Sequence, residues 1–259
     1  MKPGKTTQVT GLKSPPPLIL HVPHASTRIP FTDGYLNEET TNREIQLLTD
    51  WYTDELFGNK RDVIIQANFS RVFCDVERFA LDEIEPMAAK GMGLAYTHCD
   101  DGTPLRQMTS ELRNSIFNGY YTPHHQRLND VVEESVKRDG SARIIDCHSY
   151  PDTPLMRDID QTCPRPDFNI GIDAFHTPEK WIELSKSFFE QHGYTLGIDW
   201  PYAGTMVPAK AFNINASVHS IMLEVNRKLY LQPNHPAKNN AFDQIRTVVQ
   251  NWLSLIHSN

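Results

Sequence analysis

The chain has 259 residues, 39% of them hydrophobic and 22% charged, an ordinary balance for a folded soluble protein of one large or two small domains. Its net charge of −7 argues against a nucleic-acid partner, which wants a basic footprint, but not against small anionic substrates held by a few arginines. No apolar run approaches the ~20 residues of a membrane helix, so no membrane partner is expected.

The opening stretch, MKPGKTTQVTGLKSPPPLIL, lacks the roughly 7–15-residue apolar core of a secretion signal. Pro15, Pro16 and Pro17 form a stiff lead-in to a first strand, Leu18 to Val22, which ends at Pro23-His24. Apolar residues Ile45, Leu48, Trp51, Tyr52 and Leu56 recur at helical spacing, predicting one helix from about Glu38 to Phe57, closed by Gly58. Two short strands follow, Val63 to Gln66 and Val72 to Asp75. The glycine- and acid-rich stretch from Ala80 to Pro104 has weak periodicity and is expected to be a long surface excursion, of the kind that is often functional.

Residues 110–140 carry two helical patterns joined at Pro123 and ended by Gly140. The run Arg143-Ile144-Ile145 then reads as a core strand that leaves Asp146 and His148 at its end. After a proline-rich loop, Thr177-Pro178-Glu179 caps a helix that stops at Gly193. A short strand around Tyr194 to Ile198, a strand from His219 to Tyr230 and an amphipathic helix from Asn239 to Ile256 complete the chain. Strands alternating with long helices predict a three-layer α/β fold with a mostly parallel or mixed central sheet, organised as a single domain over residues 1–259. The four cysteines show no CxxC pair or zinc-finger spacing, and Cys74 and Cys147 sit in apolar runs, which favours free thiols in a reducing, cytoplasmic setting.

In open α/β sheets, ligands bind beyond the carboxyl ends of the strands, and that is where this chain collects polar residues. His24 follows the first strand, Arg71 and Arg78 flank the third, His148 follows the fourth, and Glu224 interrupts an apolar strand. Each has a plain structural alternative: His24 turning the chain after Pro23, His148 bonding a carbonyl, Asp146 capping a turn, Asp50 pairing with an arginine. A carboxylate inside an apolar strand is harder to dismiss, because it needs a partner or a shifted pKa. Two histidines and a carboxylate with an open fourth position make a hydrolytic zinc site, and arginines suit a substrate carboxylate or a developing oxyanion.

The segments VPHAS, LTDWYTDELF, NFSRVFCDVER, YYTPHHQRL, IIDCHS, PDFNIG and VHSIMLEVNRKLY run in order from about Leu18 to Tyr230. In these the chain resembles the N-formylglutamate amidohydrolase family, relatives of zinc carboxypeptidase-like hydrolases with a phosphorylase/hydrolase-like fold. The resemblance implies a zinc (or similar divalent metal) enzyme that cleaves a small N-acyl amino acid by attack of metal-bound water, giving formate and glutamate in the namesake reaction. It implies His24, Asp50 and His148 as metal ligands and Glu224 as general base. Arg71 is implied at the oxyanion, Arg78 at the substrate carboxylate, and Asp146 as the group orienting a ligand. His125 matches a family histidine, with packing or substrate contact both open. Gly204 falls on the substrate side, in a segment where relatives carry a G-G-H-like motif and this chain has Ala203-Gly204-Thr205. A second departure is Asp75-Val76-Glu77-Arg78 in place of the family's Asp-x-Asn-Arg, with Glu77 expected to neutralise Arg78. Those departures keep open a different acyl amino acid or small peptide as substrate, and a non-catalytic binding protein stands as the alternative from another class.

Overall fold

Six short segments rich in β-branched and other apolar residues pair into one sheet: β1 (Ile19–Val22), β2 (Val63–Gln66), β3 (Ala142–Tyr150), β4 (Phe168–Gly171), β5 (Leu196–Ile198) and β6 (Val218–Asn226). Their spatial order is β2-β1-β3-β6-β4-β5. The first four in that order run parallel, whereas β4 lies antiparallel to β6 and parallel to β5, so the sheet is mixed. The structure, a computed structural model, describes residues 15–259. Most of the stretch read above for a secretion signal therefore lies outside the described residues. Among them, no helix is long and apolar enough to cross a membrane.

Helices cover both faces of the sheet: α1 (Glu38–Leu48), α2 (Thr53–Phe57), α3 (Ser110–Ile116), α4 (Thr122–Asp139), α5 (Glu179–Gln191) and α6 (Phe242–His257). Because side chains alternate along a strand, each strand feeds two layers. Leu20 and Val22 of β1, Ile145 and Cys147 of β3, and Ile221, Leu223 and Val225 of β6 pack with Leu56 and Phe57 of α2, Phe189 of α5, and Val249 and Trp252 of α6. The intervening residues Ile19, Ile144 and Val218 meet Leu128 and Val132 of α4. Continued by two, this second set reaches His21 on β1, Asp146 and His148 on β3, and Glu224 on β6. The apolar core ends on this face, and polar side chains take over toward the carboxyl ends.

Several expectations need correction. The helix anticipated from Glu38 to Phe57 breaks after Leu48: the Thr49 hydroxyl turns back to the Ile45 carbonyl at 2.6 Å, and Tyr52 adopts φ 61°. Apolar spacing alone cannot register that interruption, which carries Asp50. Val72 to Asp75 is not a strand but a buried succession of turns, with Phe73 N–H and Cys74 N–H both donating to the Ser70 carbonyl. The stretch from Ala80 to Pro104 is no simple surface excursion, since Leu94, Tyr96 and Cys99 are fully buried. Strand β4 lies within the segment assigned to a proline-rich loop. The last sheet strand ends at Asn226 rather than Tyr230 and is followed by a helical turn at Arg227–Leu229 and a small hairpin, β7 (Leu231–Gln232) and β8 (His235–Lys238). Pro123 sits in the first turn of α4, where its missing N–H costs little, and a single π turn at Phe117–Tyr121 joins that helix to α3.

Candidate active site

The strand register assembles the centre of the site. In the β1–β3 pairing His21 stands opposite Asp146, and in the β3–β6 pairing His148 stands opposite Glu224. His24 follows β1 in the loop, and the break between α1 and α2 brings in Asp50, whose N–H donates to the His24 carbonyl at 3.0 Å. Nδ1 of His24, Nδ1 of His148 and a carboxylate oxygen of Asp50 converge, with Asp50 Oδ2 at 3.6 Å and 3.1 Å from the two rings.

Each histidine is held from behind. Nε2 of His24 is 2.8 Å from Asp75 Oδ1, and Nε2 of His148 is 3.1 Å from Asp146 Oδ1. With the ring hydrogen on Nε2 in both, each donates to a buried carboxylate and turns its Nδ1 lone pair toward the other. This backing fixes the tautomer and raises ligand basicity, the usual support of metal-bound histidine. His24 Nδ1 has no hydrogen-bond partner among the described residues although it is buried. The three donor atoms lie within 4.8 Å of one another. An ion bound at ~2.0–2.2 Å spaces its ligands by roughly 3.0–3.6 Å, depending on geometry. The donor set and spacing fit zinc or a similar divalent metal.

Arginines surround this centre despite the acidic balance of the chain. Arg227, just past β6, donates to Asp50 Oδ1 at 2.9 Å, so Asp50 makes the arginine pair named as its structural alternative while its other oxygen faces the histidines. Arg71 donates to Asp75 Oδ2 through Nε at 3.2 Å and Nη2 at 2.9 Å, and Tyr96 O–H donates to the same oxygen at 2.6 Å. Arg78 faces Asp75 at 3.4 Å and Glu85 at 3.9 Å, but its buried Nε makes no hydrogen bond among the described residues. Glu77 is turned away from the role expected for it: its Oε1 lies 3.1 Å from His21 Nδ1.

Burial would raise all of the inner carboxyls, and their partners decide otherwise. For Asp50 the neighbouring His148 and His24 rings and the Arg227 charge outweigh burial and hold the group well below the usual range. Asp75 is likewise lowered against burial by Arg71, His24 and Arg78, and Asp146 by His148 and His21. His148 is pushed up despite burial, by Asp146 and Asp50. Glu224 goes the other way: burial lifts it to about 8, with His148 pulling it down and Asp50 pushing it up. Its Oε2 is buried without a hydrogen-bond partner among the described residues.

These groups line a cavity of about 250 Å³, where His24, Asp50, His148 and Glu224 meet Arg71, Arg78, Arg157 and Arg227. Asp146 stands behind His148. His125 is placed outside the cavity lining, with Nε2 2.9 Å from the Val76 carbonyl, where it braces the loop that carries Asp75, Glu77 and Arg78. Gly204 is also outside the lining, its N–H donating to Asp199, while its neighbour Ala203 faces the cavity. Thr205 bonds the Ser220 hydroxyl at 2.7 Å. Asp75, Tyr96, Arg157 and Arg227 were not singled out as site residues from sequence. Asp75 and Arg227 carried a usable signal, Asp75 leading the Asp-x-Asn-Arg-like segment and Arg227 lying directly after the strand of Glu224.

A mixed α/β sheet with a buried histidine–carboxylate centre at its carboxyl edge, ringed by arginines, is the kind of polar pocket that α/β enzymes use for small molecules. The N-formylglutamate amidohydrolase family profile matches residues 16–231, and the chain belongs to that family. The fold is similar to that of N-formylglutamate amidohydrolase from Ralstonia eutropha JMP134, with TM-score 0.81, 24% identity, and coverage of 95% of this chain and 94% of that one. It is also similar to gene product Atu2144 from Agrobacterium tumefaciens, with TM-score 0.63, 15% identity, and coverage of 93% and 92%. No curated protein sequence gives a significant match.

Proposed function

We propose that this protein is a metal-dependent amidohydrolase that cleaves the N-acyl bond of a small acidic amino acid, with N-formylglutamate as the leading substrate. The observation that carries this reading is the pair of histidines whose Nε2 atoms are tied to Asp75 and Asp146 while their Nδ1 atoms meet Asp50 beside an unpartnered Glu224 oxygen. The family, and the activity for which the Ralstonia protein is named, support the substrate. The cavity volume of about 250 Å³ supports it too. That is below the roughly 300–1,000 Å³ typical of drug-sized ligands, which suits one acyl amino acid better than a peptide.

His24, Asp50 and His148 would hold the ion. Bound there, zinc would polarise the acyl carbonyl and acidify water. Glu224 takes a proton from the attacking water and returns it to the leaving nitrogen, so that the amide and water become an acid and a free amine. Arg71 has Nε and Nη2 committed to Asp75, while Nη1, 3.9 Å from Asp50 Oδ1 and without a hydrogen bond to it, serves the oxygen that gains charge. Arg78, with its Nε unsatisfied, receives a substrate carboxylate.

The first test is metal content and N-formylglutamate turnover of wild type beside His148→Ala, with His24→Asn as a second variant in case the first does not fold. Wild type should bind a divalent ion at this site and release formate, and the variants should lose the ion from this site together with the activity. A wild-type protein that takes up no Zn²⁺, Co²⁺ or Mn²⁺ after reconstitution would sink the mechanism.

A further inference from the structure

A second group of potential ligands stands on the far side of Asp146. His21 Nδ1 is 2.8 Å from Asp146 Oδ1 and 3.1 Å from Glu77 Oε1, and the three donor atoms lie within 4.8 Å of one another. Two carboxylate oxygens thus converge on one ring nitrogen, which carries at most one hydrogen. The shorter contact takes it, and Glu77 Oε1 is left buried with no hydrogen bond among the described residues. His21 and Asp146 are essentially inaccessible, so solvent does not supply the missing partner on their side. Glu77 lines the active-site cavity, giving an ion a route to this group.

The other ring nitrogen of His21 is already backed. Its Nε2 lies 2.9 Å from Nε2 of His124 on α4. If His21 carries its hydrogen on Nε2, it donates to His124 and presents a bare Nδ1 to the two carboxylates, the arrangement seen for His24 and His148. The observed spacings of 2.8 Å and 3.1 Å are close to the roughly 3.0–3.6 Å that a bound first-row ion imposes on its ligands.

We propose that His21, Glu77 and Asp146 form a second binding site for a divalent transition-metal ion, next to the one assigned to His24, Asp50 and His148. One imidazole and two carboxylates form a borderline-to-hard donor set of the kind taken by Zn²⁺, Co²⁺ or Mn²⁺. The two sites are joined through a single oxygen. Asp146 Oδ1 would ligate the second ion and also accept the hydrogen bond from His148 Nε2. Filling the second site would draw charge off Asp146 and make His148 a weaker donor at the first, so the sites would be coupled. Glu77 accordingly acts as a ligand of this site and not as a neutraliser of Arg78.

The test is titration of metal-free protein with Co²⁺, read by calorimetry and by visible absorption, for wild type, Glu77→Gln and His24→Asn. Glu77→Gln preserves shape at a partly exposed position and removes the charged ligand. Two equivalents in wild type and one in each variant, with distinct absorption spectra, is the expected result. One equivalent in wild type that disappears in Glu77→Gln and survives in His24→Asn would keep this proposal and overturn the first site. One equivalent in wild type that survives in Glu77→Gln overturns the proposal and leaves His21 as an imidazolium bridging two carboxylates. No binding by any of the three proteins overturns both sites.

Discussion

Leu223 and Glu224 are consecutive on β6 and face opposite layers. Leu223 joins the apolar layer under α5 and α6 and is fully buried, while Glu224 lines the cavity on the other face and is 6% exposed. The two faces are equally well removed from water, but they spend that burial differently. One gains transfer free energy from each side chain, at about 25 cal/mol per Å² of apolar surface. The other sets charged groups against each other in a low dielectric, where their pKa values separate and some of their buried polar atoms go without a hydrogen bond among the described residues.

Three substitutions sharpen this contrast. Glu224→Gln should lower the turnover number by about 10²–10⁴, the usual worth of a general acid–base group, while metal content and thermal stability stay near wild type. Normal hydrolysis by that variant would show that the base is elsewhere. Leu223→Ala, one residue away, should do the reverse. It should cost roughly 2–5 kcal/mol in urea denaturation through lost burial and a cavity, with near-normal KM in the fraction that remains folded. A loss of KM far beyond that of stability would mean that the two faces are not independent.

The smallest effect is expected at Glu44 on α1, a buried carboxyl away from the cavity. Its Oε1 accepts from Asp100 N–H at 2.7 Å, and burial pushes its pKa to about 7 against an ordinary value of 4.5, the Asp100 N–H bond opposing the rise and the Asp100 charge adding to it. The folded state therefore holds a proton that the unfolded state has released, and stability falls as pH rises from about 4.5 to about 7. Glu44→Gln keeps the acceptor and removes the slope. Its advantage in melting temperature should grow across that window and level off above it. An advantage independent of pH would show that the carboxyl does not titrate there.

The strands and long helices were readable because burial on two faces imposes its period directly on the sequence. β1, β2 and β3, together with α5 and α6, appear where periodicity and caps put them. β4 escaped because four buried residues between proline-rich loops carry no period. The site was readable in another way, as polar residues in places where polar residues are costly. His24, His148 and Glu224 stood out at strand ends, and the structure brings them together with Asp50. What holds them was hidden. Asp75 lies 51 residues from His24 in the chain, and its partners are gathered by turns that look apolar in sequence. Glu77 sat beside Arg78 in sequence but found His21 in space, since neighbours in a turn need not face the same way.

The helix break after Leu48 has a consequence for the order in which the molecule comes together. Asp50 meets His148 across 98 residues of chain, and no two of the residues assigned to the first site lie within a few positions of each other. An unfolded or half-folded chain therefore offers no local chelate. Loop closure must precede capture, so the ion would be the last component to arrive and the first to leave. Its retention would report whether β1, β3 and the segment around Asp50 are all docked, which makes metal release a probe of the molecule's long-range architecture rather than of one loop.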